Sequence, residues 1–334
     1  MGEFELIRRY FAAPALQQSR RDVCVGIGDD CALIAVPQGK QLAVSVDTSV
    51  AGVHFLPEAP AHSIGWRALA VSLSDLAAMG AQPAWFTLAI SLPDVDENWL
   101  AEFSRGMADL SQRYGVALVG GDTTRGQLSM SVQVQGYVTP GAAWRRNGAK
   151  PGDIIYVSGK LGAAAAGLRI AQNLVAEGLP IPDLTVLNDD NCGMPESDVV
   201  ALKSYLYPTP RFDLIPMLSS RVSSAIDISD GLLSDLGHLL AASGVGANLD
   251  HNRIPCFDHL DMAAELCSES ALSGGDDYEL CFTVSPQRRL ELEVGAEQSR
   301  ISLYPIGMVT AHEGIRGIPS NLSTGFDHFK GNKQ

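Results

Sequence analysis

Apolar residues recur at helical spacing over residues 62–79, where Ile64, Ala68, Leu69, Leu73 and Leu76 fall together with Ser72 among them. Gly80 and Pro83 close that helix, and residues 85–92 then read as a strand. A second helix is predicted over residues 97–114, with Trp99, Phe103, Met107 and Leu110 on one face. Residues 3–13 read as a short amphipathic helix. A weakly alternating strand over 41–46 is expected to stop at Asp47, and a short strand over 116–119 at Gly120-Gly121-Asp122. Residues 128–138 alternate more clearly, so one face is solvated or paired. The segment Thr139–Gly152 carries Pro140, Gly141, Gly148, Pro151 and Gly152, which marks a boundary. Beyond it the pattern predicts strands over 154–158, 224–228, 278–284 and 302–309. Helices are predicted over 161–176, around Phe212, over 232–242 and over 287–298, with a polar stretch near 178–197. Mixed elements on both sides indicate two α/β or α+β domains, residues 1–140 and 141–334.

Charge narrows the function. Lys and Arg total 24 against 38 Asp and Glu, a net charge of −14, which disfavours nucleic-acid partners. The six cysteines are scattered, with no C-x-x-C pair for zinc or thiol exchange. Acids near the N-terminus, and no apolar run behind them, speak against a signal peptide. The uncharged stretch Leu76–Pro93 contains Gly80-Ala-Gln-Pro83 and is no membrane span. No membrane partner and a cytoplasmic location are expected.

A recurring set of aspartates sits beside glycine or hydroxyl residues at the ends of elements. They are Asp29-Asp30, Asp47, Asp75, Asp122, Asp227, Asp230 and Asp276-Asp277. Two readings stand side by side. Such residues form turns and helix caps; gathered in one cleft they would instead repel each other until a hard divalent cation joined them. An all-oxygen donor set without His or Cys favours Mg²⁺ or Mn²⁺ over zinc. Asp75 stands out because it shares the apolar side of its helix, where it needs a salt bridge or a metal. No P-loop, dinucleotide fingerprint, protein-kinase catalytic loop or G-x-S-x-G is present. ATP, if used, must be met through metal-loaded carboxylates. His54, after the Asp47 loop, is either packed or placed to contact an anion. Arg145-Arg146, in the boundary segment, is a phosphate clamp or a solvated linker.

Seven ordered blocks then resemble the thiamine-monophosphate kinase family. They are G-I-G-D-D-C-A-L (26–33), D-T-x-x-A-G-x-H-F (47–55), L-A-V-S-L-S-D-L-A-A-M-G-A (69–81), G-G-D-T-T-R-G (120–126), G-A-K-P-G-D (148–153), A-I-D-I-S-D-G-L (225–232) and L-S-G-G-D-D-Y-E-L-C-F (272–282). The resemblance implies the two-domain aminoimidazole-ribonucleotide synthetase-like fold, with an N-terminal domain that forms a barrel shared across a homodimer. It implies transfer of the ATP γ-phosphoryl to thiamine monophosphate, giving thiamine diphosphate, with several Mg²⁺ ions. Carried over residue by residue, the implied magnesium ligands are Asp30, Ser45, Asp47, Asp75, Asp122, Asp227 and Asp230. Gly121, Asp122, Arg146 and Ser229 are the implied ATP contacts, and His54, Asp276 and Phe326 the implied thiamine monophosphate contacts. The chain departs from the family pattern in three places. Asp276 stands where Glu is common, Phe326 where Tyr or Trp often stands, and Val46 where a threonine is usual.

The acceptor is a phosphate monoester with a second pKa of about 6, already mostly dianionic at neutral pH. No general base is needed, so the expected mechanism is direct in-line transfer with no phospho-enzyme and no catalytic side chain beyond the positioning acids. Asp47 and Asp122 are expected to matter most. The rival readings are superfamily members that make a phosphorylated intermediate, a binding-only metal or nucleotide protein, and a structural protein whose acids are turns and caps.

Overall fold

The computed structural model describes residues 2–185, 193–259 and 263–319. The first half begins with the helical turns α1 (Glu3–Leu6) and α2 (Pro14–Gln17), then β1 (Val23–Val25) and β2 (Leu33–Ile34). It continues with β3 (Gln41–Val50), α3 (Ala61–Ala78), β4 (Gln82–Leu92), α4 (Glu97–Tyr114), β5 (Ala117–Arg125) and β6 (Ser129–Val138). Strands β3 to β6 make a four-stranded mixed sheet in the order β3-β6-β4-β5, antiparallel except between β4 and β5.

The second half contains β7 (Ile154–Val157), α5 (Ala163–Ala176), α6 (Glu196–Leu206), α7 (Ile215–Leu218), β8 (Val222–Asp227) and α8 (Leu232–Ser243). After these come β9 (Gly246–Leu249), α9 (Ala264–Ser273), β10 (Leu280–Val284), α10 (Arg289–Ser299), β11 (Tyr304–Thr310) and β12 (Gly314–Arg316). Its six strands run β12-β9-β11-β7-β10-β8, antiparallel but for β12 on β9. Among the described residues no helix is long and apolar enough to cross a membrane.

Helix α3 organises the site. It lies on β3 and β6 of the first sheet and also touches β8 and α6 of the second half. Enclosed on both sides, it buries Ile64, Leu69, Leu73 and Leu76 and also Ser72 and Ser74. A helix walled in all round cannot show a clean apolar stripe, which is why serines interrupt its pattern.

The structure corrects several sequence expectations. Strand β3 does not stop at Asp47; β6 pairs with it residue by residue from Gln41–Val138 to Val50–Ser129, carrying the strand three residues further. Strand β5 likewise runs through Gly120-Gly121-Asp122 to Arg125, held in parallel by β4. Glycine is required within it, since a Cβ on Gly121 would lie 1.9 Å from the carbonyl oxygen of Leu88. The helix over 3–13 breaks into α1 and a π-helical turn over Ile7–Phe11. Helices α6 and α9 and the short strands β9 and β12 were not predicted.

Within one chain the first sheet is open, not a closed barrel. Its edges are β3 and β5, and the outward face of β3 exposes Leu42, Val44 and Val46, each about half accessible.

Candidate active site

Three elements bring acids to the junction between the two halves. Strand β3 supplies Asp47, the last turns of α3 supply Asp75, and the C-terminal end of β8 supplies Asp227. Each has a serine beside it. The Ser45 hydroxyl donates to Asp75 Oδ2. Ser74 donates to Asp227 Oδ2 at 2.7 Å, linking α3 to β8 across the domain boundary. Ser72, also buried on α3, lies beside Asp47 and tempers its raised pKa, while its hydroxyl donates to the Val132 carbonyl at 3.1 Å.

The acids feel one another. Burial first, and the charge of Asp75 second, push the Asp47 carboxyl up to about 6. Burial and then Asp75 also push Asp227 up, with Ser74 opposing. Asp75 itself is raised by burial, opposed by the Ser45 hydrogen bond and by the positive charge of Arg146. Arg146 is therefore within electrostatic reach of this group, although its side chain is exposed. Its backbone is anchored by the Ser243 hydroxyl, which donates to the Arg146 carbonyl at 2.8 Å.

One oxygen of this group, Asp47 Oδ2, is buried without a hydrogen-bond partner. An orphaned buried carboxylate oxygen is costly, and a cation removes that cost together with the mutual repulsion. Oxygen-only donors, one of them unpartnered, thus fit Mg²⁺ or Mn²⁺. Among the described residues no three carboxylate, histidine or cysteine side chains already form a closed metal-binding group. The acids lie within Coulombic reach without converging on a point.

The other implied ligands stand apart. Asp47 is in register with Val132, Leu88 and Gly121 across the sheet, so Asp122 lies three strand spacings away, roughly 14 Å. It is exposed, near the opposite edge of the same sheet. Asp30 is exposed in the β1–β2 loop, where its N–H donates to Asp29 Oδ1 at 2.9 Å in a turn. Neither joins Asp47, Asp75 and Asp227 within one chain. His54 closes the turn after β3, its Nδ1 accepting from the Val50 N–H at 3.0 Å. Phe326 lies outside the described residues.

Ser229 and Asp230 sit in the loop between β8 and α8, and their N–H groups both donate to Asp235 Oδ2, at 2.9 and 3.0 Å. Asp235, pushed up to about 7 chiefly by burial, is a loop-holding acid that sequence reasoning missed. Its signal was available: an acid in the first turn of a helix that follows Ser-Asp-Gly. The next residue, Gly231, has φ +112° and no room for a Cβ, which would approach the Ser273 backbone to 2.8 Å.

The pair Asp276-Asp277 divides its labour. Asp277 accepts from the Gly162 N–H at 2.9 Å and caps the start of α5, its carboxyl raised well above the ordinary value by desolvation. Asp276 instead faces the junction, in an ion pair with Arg67 of α3. Asp277→Ala is expected to cost about 1–2 kcal/mol by orphaning a buried N–H. Thermal melting should show a drop of several degrees while substrate KM stays within about twofold; a large KM change would assign Asp277 to the site instead.

The raised acids set a pH dependence. Asp47 and Asp235 hold their protons to about 6 and about 7, against an ordinary carboxyl value of about 4. The folded chain therefore binds more protons than the unfolded one between about pH 4 and 7, so stability rises as pH falls through that window. For chelator-treated protein the melting midpoint is expected to be higher at about pH 5.5 than at about pH 7.5. A midpoint that falls on this acidification would contradict the coupled-acid geometry.

Comparison with known proteins places this site in context. Residues 28–138 match the family described as AIR synthase related protein, N-terminal domain, and residues 150–318 match the corresponding C-terminal domain. The thiamine-monophosphate kinase of Escherichia coli strain K12 is 47% identical over 336 residues, covering 98% of each chain. The crystal structure of thiamine-monophosphate kinase from Stenotrophomonas maltophilia superposes with a TM-score of 0.81 at 42% identity, covering 95% of this chain and 96% of that one. A structure of AaThiL complexed with AMPPCP and TMP superposes with a TM-score of 0.74 at 28% identity, covering 98% and 97%.

Proposed function

The chain belongs to the thiamine-monophosphate kinase family, and from that premise we propose that it transfers the γ-phosphoryl group of ATP directly to thiamine monophosphate in the cytoplasm, as the last step in making thiamine diphosphate. The observation that carries this reading is the interdomain acid group Asp47, Asp75 and Asp227 with its orphaned oxygen. A relative bound to an ATP analogue and TMP supports the same pair of substrates.

Asp47, Asp75 and Asp227 would hold divalent cations, with Ser45 assisting and Asp30 and Asp230 joining from their loops. When bound, such cations neutralise the phosphates and stabilise the spreading charge of the transferring group. The residues themselves position the reactants. Arg146 offers a donor fork to phosphate beside Asp75. Ser229, held by Asp235, would contact the nucleotide. His54, Asp276 and Phe326 would face the thiamine half, where a carboxylate and an aromatic face suit a thiazolium cation. The acceptor oxygen is already ionised, so no side chain removes a proton, and no phospho-enzyme forms.

A homodimer completes this picture. The chain divides into units 1–140 and 141–334, and the first unit has two open sheet edges with an apolar outer face at Leu42, Val44 and Val46. An exposed apolar edge strand asks for pairing. If two copies pair β3 against β5 about a two-fold axis, the eight strands close into a shared barrel. Gly121 and Asp122 of a second copy then arrive beside Asp47, which removes the 14 Å separation (roughly) found within one chain.

The test is a coupled ADP-release assay offering thiamine monophosphate, thiamine and formylglycinamidine ribonucleotide with Mg²⁺ and ATP. Turnover with thiamine monophosphate alone is expected. Turnover with the ribonucleotide alone would move the chain to another activity of the superfamily.

A further inference from the structure

Arg67 belongs to none of the implied ligand sets, yet it is one of the few charged side chains enclosed in the molecule, 6% exposed in the first half of α3. Its guanidinium splits its contacts. Nη2 meets Asp276 Oδ1 at 2.5 Å, and Nη1 donates to the Tyr205 carbonyl at 2.9 Å. The same group lies over the Tyr205 ring, 5.0 Å from its centroid, and 6.0 Å from that of Tyr278. The Tyr278 hydroxyl donates to Asp276 Oδ1 as well, at 3.0 Å. Among the described residues both of these contacts take Oδ1.

The backbone under Asp276 needs this support. Asp276 and Tyr278 have φ of +70° and +50°, left-handed values uncommon outside glycine. Such conformations persist where the surroundings over-determine them, and they gather at ligand sites. From the second half, the Asp276 and Tyr278 N–H groups donate to the carbonyls of Ser229 and Ile228, both at 2.8 Å. From the first half, Arg67 supplies the remaining constraint. A guanidinium suits the task because its planar fork reaches a carboxylate and a carbonyl at once, which a lysine ammonium does less well.

We propose that Arg67 is a positioning residue for acceptor binding: it reaches across the domain boundary to fix the Asp276 carboxylate toward the thiamine half of thiamine monophosphate, and its reach sets the length of acid tolerated there. This rests on the reading that Asp276 faces the acceptor. Asp276 is held on one side by its own strained loop and on the other by a guanidinium tied to the Tyr205 carbonyl, so the gap between them fixes how long an acid fits. Buried as it is, Arg67 would act through Asp276 and not on the substrate itself.

The experiment compares wild type, Arg67→Lys, Asp276→Glu and the double variant R67K/D276E in the ADP-release assay. Wild-type turnover with thiamine monophosphate comes first; its absence would remove the functional reading before any variant is judged. Each single variant is expected to raise KM for thiamine monophosphate about tenfold while kcat and KM for ATP stay within about twofold. The double variant, pairing a longer acid with a shorter base, restores the carboxylate contact but not the tie to the Tyr205 carbonyl, and is expected to have a KM below that of either single variant, a coupling that independent sites do not show. Additive losses in the double variant would overturn the proposal, as would a KM that stays at the wild-type value while melting temperature falls. If Arg67→Lys folds poorly, Asp276→Glu and the double variant still decide: rescue supports the pairing, and a double variant no better than Asp276→Glu overturns it.

Discussion

Asp47→Asn is expected to lower turnover at least about 100-fold with the fold intact, because several kcal/mol of charge stabilisation leave the transition state. Asparagine keeps the shape and gives up the charge. Asp47 lies in the middle of β3, its carboxyl is pushed up to about 6, and its Oδ2 is buried without a partner. The same geometry forecasts a stability change of opposite sign. Removing a buried charge that repels Asp75 should raise the melting midpoint of chelator-treated protein at neutral pH. Steady-state kinetics and melting curves on one preparation check both. Turnover within about threefold of wild type would remove Asp47 from the reacting centre.

The second large effect concerns two copies. Asp47 and Asp122 stand near opposite edges of one sheet, so under the proposed pairing of β3 with β5 between two copies, a site needing both would draw them from different chains. Asp47→Asn and Asp122→Asn should each be nearly inactive alone. Co-expressed and mixed at random, half the dimers carry both variants, and each such dimer keeps one intact site. The mixture is then expected to regain about a quarter of wild-type activity. Recovery of nothing would mean that the two acids serve the same chain or different purposes. Val46→Glu, which puts a charge on the exposed apolar face of β3, should abolish both the dimer and the recovery.

Much of this was legible in the sequence, and the parts that were not have physical reasons. The long periodic elements α3 and α4 were found because their burial is set by spacing within one helix. Strand ends were placed too early at Asp47 and Asp122 because a carboxylate after an apolar run looks like a terminus. The ladder partner that carries each strand onward lies far along the chain. Asp75 was marked by its place on the apolar side of α3, and its Ser45 partner came with the family resemblance. Arg67 was invisible for the opposite reason: a charge inside a helix pattern reads as solvated, and the partners that explain its burial, Asp276, Tyr205 and Tyr278, all lie far along the chain. The division of Asp276 from Asp277 was equally hidden, since a cap supplied from a distant loop leaves no mark near the start of α5.

Everything converges on whether this chain gathers cations through acids from both of its halves. The most direct measurement is Mn²⁺ binding followed by electron spin resonance, on chelator-treated protein with a non-hydrolysable ATP analogue and thiamine monophosphate present. Wild type should bind more Mn²⁺ per chain than the nucleotide alone carries, and Asp47→Asn and Asp227→Asn should each lose part of that excess. Identical binding in wild type and both variants, at the level of free nucleotide, would contradict the account.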